Sequence, residues 1–151
     1  MLDKKFTFKF QTVLNLRTKQ EDVKKNDVGF ATKKHQKETN TLLVMKKKEE
    51  KMIVKWRDET QKRLKIADLR RFADEFEYIK MRIDDQNNIV KKSEKRVEQE
   101  IELLIEAKKQ RKIFDKLREK YYDDFKYNCL KDEEMLVDQI VTFKTASSSR
   151  G

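Results

Sequence analysis

Apolar residues along this chain fall into blocks separated by polar stretches, and within the blocks they recur at helical spacing. Ile66, Leu69, Phe72, Phe76, Ile79 and Ile83 come at steps of three or four. That spacing sets them on one face of a helix. A looser stripe runs through Phe10, Val13, Leu14, Leu16, Val23 and Phe30, and a denser one through Leu42, Leu43, Met45, Met52, Ile53 and Trp56. Past residue 93 the pattern resumes with Val97, Ile101, Leu104, Ala107, Phe114, Leu117 and Tyr121. It ends with Phe125, Leu130, Met135, Leu136 and Ile140. Residues 31–40 and 84–93 are poor in apolar side chains. At the start, Phe6 and Phe8 alternate with polar residues, a strand-like signal too short to outweigh the helical pattern of the rest. We read them as a lead-in that caps the seam.

The order of these blocks is nearly a mirror image about Lys62. Folding there sets the rich block 42–56 against 66–83, the poor block 31–40 against 84–93, and the 10–30 stripe against 97–117. The pattern therefore predicts an all-α fold, an elongated antiparallel two-helix coiled coil or long α-hairpin, in one domain spanning 1–151. The expected boundaries are about 8–58 for the first helix, 59–68 for the turn, 69–143 for the second helix and 144–151 for a disordered, serine-rich tail. A continuous helix in a parallel homodimer also matches each block with itself. The lack of glycine or proline in 57–68 weighs against the hairpin.

At about 1.5 Å per residue, the first helix would be about 75 Å long and the second longer. Residues beyond about Leu117 would then overhang. The overhang carries Tyr121, Tyr122, Phe125, Tyr127, Leu130, Leu136 and Ile140, which either form a binding surface or pack on one another and on Phe6 and Phe8.

Composition agrees with a narrow seam. Charged residues make up 44% of the 151 and apolar residues 36%, against about 25% and 45–50% in ordinary globular domains. A two-helix seam needs only about two apolar positions in seven. There is no proline, and Gly29 within the first stripe weakens its helix by roughly 1 kcal/mol relative to alanine. Acid-first i,i+4 pairs, Glu21–Lys25, Asp58–Lys62 and Glu59–Arg63, suit solvated helix faces. The formal charge of +10 predicts affinity for something acidic, whether nucleic acid, an anionic membrane face or an acidic protein surface, without choosing among them. A lone cysteine, Cys129, fits a reducing compartment. No apolar run is long enough for a membrane span, and no signal peptide is visible.

Catalytic chemistry finds little footing. Two glycines cannot build a phosphate-binding loop. His35 is the only histidine and lies far from Cys129 in sequence, so neither a metal-ligand motif nor a Cys/His nucleophile pair is apparent. We expect no enzyme, no metal and no cofactor. The basic runs at Lys46–Lys48 and Lys108–Lys112 alternate with glutamates, and we read them as solvated faces. A basic coiled-coil nucleic-acid-binding protein is the alternative from another class.

Three segments carry a family resemblance. The opening Phe6-Thr7-Phe8-Lys9-Phe10-Gln11-Thr12-Val13-Leu14-Asn15-Leu16-Arg17 resembles the start of the flagellar export protein FliJ, where F-x-F or F-x-L precedes VL-x-L/R. The block Ala67-Asp68-Leu69-Arg70-Arg71-Phe72, with Phe76 and Ile79, resembles the start of that family's second long helix. Phe114-Asp115-Lys116-Leu117-Arg118-Glu119-Lys120 resembles its late ExLRE/KK stretch. The resemblance implies an antiparallel two-helix coiled coil like the central stalk of rotary ATP synthases.

It also implies a role in bacterial flagellar type III export, as a cytoplasmic stalk and chaperone at the inner-membrane face of the flagellar base. Implied partners are the hexameric export ATPase (FliI-like), the cytoplasmic domain of the export gate protein (FlhA-like) and export chaperones, with membrane contact only through these partners and no nucleic acid. The family's gate-contacting positions fall on Phe72, Phe76, Ile79 and Ile83, with Met45 and Met52 on the first helix. Tyr121 and Phe125 join them as overhang candidates. All six gate candidates also fit a purely structural seam. The equivalent stalk protein of an injectisome-type system is a nearer alternative.

Overall fold

The computed structural model describes residues 4–62 and 65–150. Two helices, α1 (Gln11–Thr60) and α2 (Ile66–Ser148), pack as an antiparallel hairpin, and there is no strand among the described residues. The chain divides into two compact units, Asp22–Ile105, which contains the turn, and Met1–Glu21 with Glu106–Gly151, which contains both termini.

In the turn unit, the apolar blocks meet where the mirror pattern set them. The Trp56 and Phe72 rings contact edge to face at 4.9 Å between centroids, and Phe72 and Ile83 are buried. The polar blocks also face each other, and they satisfy one another instead of leaving a gap. Gln86 donates to the Glu38 carbonyl oxygen at 2.9 Å and to its carboxylate at 2.7 Å. His35 Nδ1 and Ser93 Oγ lie 2.9 Å apart. Gln86 and Ser93 are buried, so these bonds meet the requirement that buried polar groups be paired. A polar layer of this kind penalises a slipped register, because slippage would bury the same groups unpaired.

The numbers of facing residues add to 128 for both Trp56/Phe72 and His35/Ser93. The facing pair Glu38/Gln86 centres on position 62, and α1 ends at Thr60 with α2 beginning at Ile66, so the chain reverses near the expected Lys62. Lys62 N–H bonds the Glu59 carbonyl at 3.0 Å, and Asp68 and Leu69 N–H bond that of Lys65. No described residue has a positive φ. Because α1 ends at Thr60, Lys62 has left the helix, and no Asp58–Lys62 ion pair forms among the described residues; Arg63 of the other expected pair lies outside them.

In the terminal unit, Phe6 and Phe8 precede α1 and lie against α2. Phe6 meets Tyr122 at 5.2 Å and Phe125 at 5.5 Å, and Phe8 meets Tyr121 at 5.7 Å. Lys4 Nζ reaches Asp132 at 3.0 Å. That bond raises the lysine pKa, so its contribution is complete below the ordinary lysine range and is lost as pH rises above it. Extended chain advances about 3.3 Å per residue against 1.5 Å for a helix. Seven non-helical residues therefore cover α2 as far as Asp132, and the uncovered end begins there instead of near Leu117. Deeper in the unit, Glu21 is only 3% exposed and is held by Arg111, which also bonds Asp115.

Every residue from Glu133 to Arg150 is exposed. Helix α2 runs to Ser148, through the expected disordered tail, with the hydroxyls of Ser147 and Ser148 bonding the carbonyls of Lys144 and Thr145 at 3.0 Å. Gly29 sits mid-helix at an ordinary φ with nothing within 4 Å of where a Cβ would lie. Gly29→Ala is expected to stabilise the fold by about 0.5–1 kcal/mol, read as a higher urea midpoint.

Candidate functional site

Where α1 approaches its end, Met52, Ile53 and Trp56 share a helix face, with Arg57 and Thr60 one turn on. Across from them Phe76 projects from α2. Together these six residues line a largely apolar concavity of about 310 Å³. Its floor is stiff. Phe72, 4% exposed, packs edge-on against Trp56, and edge-to-face rings add to the stabilisation given by burial alone. The Trp56 indole N–H is buried with no acceptor among the described residues. A buried donor without an acceptor costs about 1–3 kcal/mol, so the apolar contacts around it must outweigh that cost. Lys80 lies over the Phe76 ring at 4.7 Å, placing a cation on the outer side of the same residue.

The sequence candidates divide between floor and lining. Met52 and Phe76 line the concavity. Phe72 and Ile83 are buried, while Ile79 and Met45 are half-buried in the seam outside it. Tyr121 and Phe125 belong to the terminal unit, against Phe8 and Phe6. Ile53 and Trp56 are legible in the sequence as stripe residues but not as lining. A single tryptophan closing an apolar stripe just before a helix end is the available signal. Arg57 and Thr60 give none, since their placement depends on where α1 stops.

A second apolar surface lies on the uncovered end of α2. Leu136, Ile140 and Phe143 recur at four and three residues on one face, and all are exposed, Phe143 by 74%. Among the described residues no group of three or more His, Cys, Asp or Glu side chains could hold a metal ion, and no helix is long and apolar enough to cross a membrane.

The described residues thus form a helical hairpin with an apolar concavity beside its turn and an exposed apolar helix end. The family model described as flagellar FliJ protein matches residues 6–150. The chain belongs to this family, whose members are non-enzymatic components of the flagellar export apparatus. Comparisons with curated proteins and with solved structures each gave no match.

Proposed function

We propose that this protein is a non-enzymatic stalk and chaperone that links the export ATPase ring to the export gate at the cytoplasmic face of the inner membrane and assists export chaperones. The observation that carries this reading is the concavity. Two residues assigned to gate contact by family resemblance, Met52 and Phe76, line it together from different helices. Resemblance alone would allow such residues to be scattered or buried. In this reading Met52, Phe76 and Trp56 touch the cytoplasmic domain of the gate, whereas Phe72, Ile79, Ile83 and Met45 hold the surface in shape. The uncovered face of Leu136, Ile140 and Phe143 engages the hexameric ATPase, with Tyr121 and Phe125 fixing the helix that presents it. The positive charge speeds encounter with acidic partners more than it sets specificity.

The test is a titration of the gate's cytoplasmic domain with the wild type and with Met52→Ser/Phe76→Ser. Both side chains are only half-buried, so helicity should be retained. Residues central to an interface are worth about 2 kcal/mol or more, and affinity should therefore fall at least about tenfold. Unchanged affinity would remove the concavity from the gate contact.

A further inference from the structure

We propose that the turn of the hairpin binds an anionic lipid surface directly. Residues 51–71 hold eight Lys and Arg against three Asp and Glu, a net +5 and half of the chain's +10. Lys51, Lys55, Arg57, Lys62, Lys65 and Arg70 are all exposed and make no ion pair among the described residues. Arg71 pairs with Asp68 at 4.0 Å and lies 5.9 Å from the Phe72 ring centroid. These cations come from both helices and from either side of the turn. An anionic surface met end-on lies within reach of the cations nearest the turn, Arg57, Lys62 and Lys65.

Apolar side chains stand among these charges. Ile66, the first residue of α2, is 73% exposed, and Val54 and Leu69 are exposed as well. The boundary between headgroups and acyl chains accommodates such side chains. Clusters of four to eight Lys and Arg beside exposed apolar residues have the composition of anionic-lipid binding sites, with a roughly fivefold affinity gain per cation close to the surface. The basic run at Lys108–Lys112 differs in its charge balance. Arg111 is committed to Glu21 and Asp115, and Glu102 and Glu106 precede the run.

That run supplies a control of equal charge. The full-length protein would be co-sedimented with vesicles of phosphatidylglycerol and phosphatidylcholine, or of phosphatidylcholine alone. Lys51→Gln/Lys55→Gln/Lys65→Gln would be compared with Lys108→Gln/Lys109→Gln/Lys112→Gln. Trp56 is the only tryptophan, so quenching of its emission by brominated acyl chains reports the turn itself. Binding should require phosphatidylglycerol and fall with salt. The turn variant should bind at least about tenfold more weakly and the control no more than about threefold. Ile66→Ser should weaken binding severalfold, and brominated lipid should quench Trp56. Equal losses in the two triple variants would overturn the proposal. So would Trp56 emission that bound vesicles leave unchanged, or single-stranded DNA binding with the same dependence on the turn lysines and none on Ile66, which marks a general polyanion site. The assay contains no export component, so its outcome is independent of the gate titration.

Discussion

Arg111→Ala is expected to destabilise the terminal unit by about 2–4 kcal/mol, because it removes the guanidinium held against the Glu21 carboxylate in the helix seam. Glu21 is 3% exposed, so water replaces the lost partner poorly, whereas Arg111 is partly exposed and the loss falls somewhat short of a fully buried pair. The double variant Glu21→Met/Arg111→Met should return to within about 1 kcal/mol of the wild type or exceed it, since apolar residues of similar length often replace buried pairs at no net cost. Urea denaturation followed by far-UV circular dichroism measures both. If the single variant is as stable as the wild type, the pair contributes little and the seam holds by its apolar contacts.

Phe72→Ala should destabilise the turn unit by about 3–4 kcal/mol, the usual range for removing a buried phenylalanine. The Trp56 ring would lose its edge-to-face partner at 4.9 Å, and the floor of the concavity would collapse with it. Phe72→Leu nearly conserves volume and should cost less than about 1.5 kcal/mol. The two substitutions separate support from contact. If Phe72 acts by holding Trp56 and Phe76 in place, Phe72→Leu keeps gate affinity within a few fold, and only Phe72→Ala loses it together with stability. Loss of gate affinity in a stable Phe72→Leu protein would make Phe72 a contact residue.

The hairpin is legible in the sequence because the order of rich and poor blocks is a statement about which segments face each other. Even the polar blocks are informative. His35 opposite Ser93 and Glu38 opposite Gln86 show a polar interval matched with a polar interval. The bounds of the turn are less legible, since Gln61 to Lys65 carry neither glycine nor proline. The start of the uncovered end differs from expectation for another reason. The Phe6–Phe8 alternation is short, yet its extended form covers more of α2 per residue than a helix would.

The candidate site is half legible. Helical spacing singles out Phe72, Phe76, Ile79 and Ile83 as one face, but a face does not say which of its members is floor and which is lining. That depends on the residue each meets on the other helix. Trp56 covers Phe72, while Phe76 faces the open space beside Met52 and Ile53. Only pairing across the seam makes that distinction.

Whether this protein joins the export ATPase to the export gate is decided by a pull-down of the purified protein. The baits are the flagellar ATPase and the gate's cytoplasmic domain from its own organism, with ATP hydrolysis read in the same samples. Binding to both and stimulated hydrolysis are expected, with stimulation reduced when Leu136, Ile140 and Phe143 are replaced by serine. A well-folded helical protein that binds neither partner would contradict the proposed link.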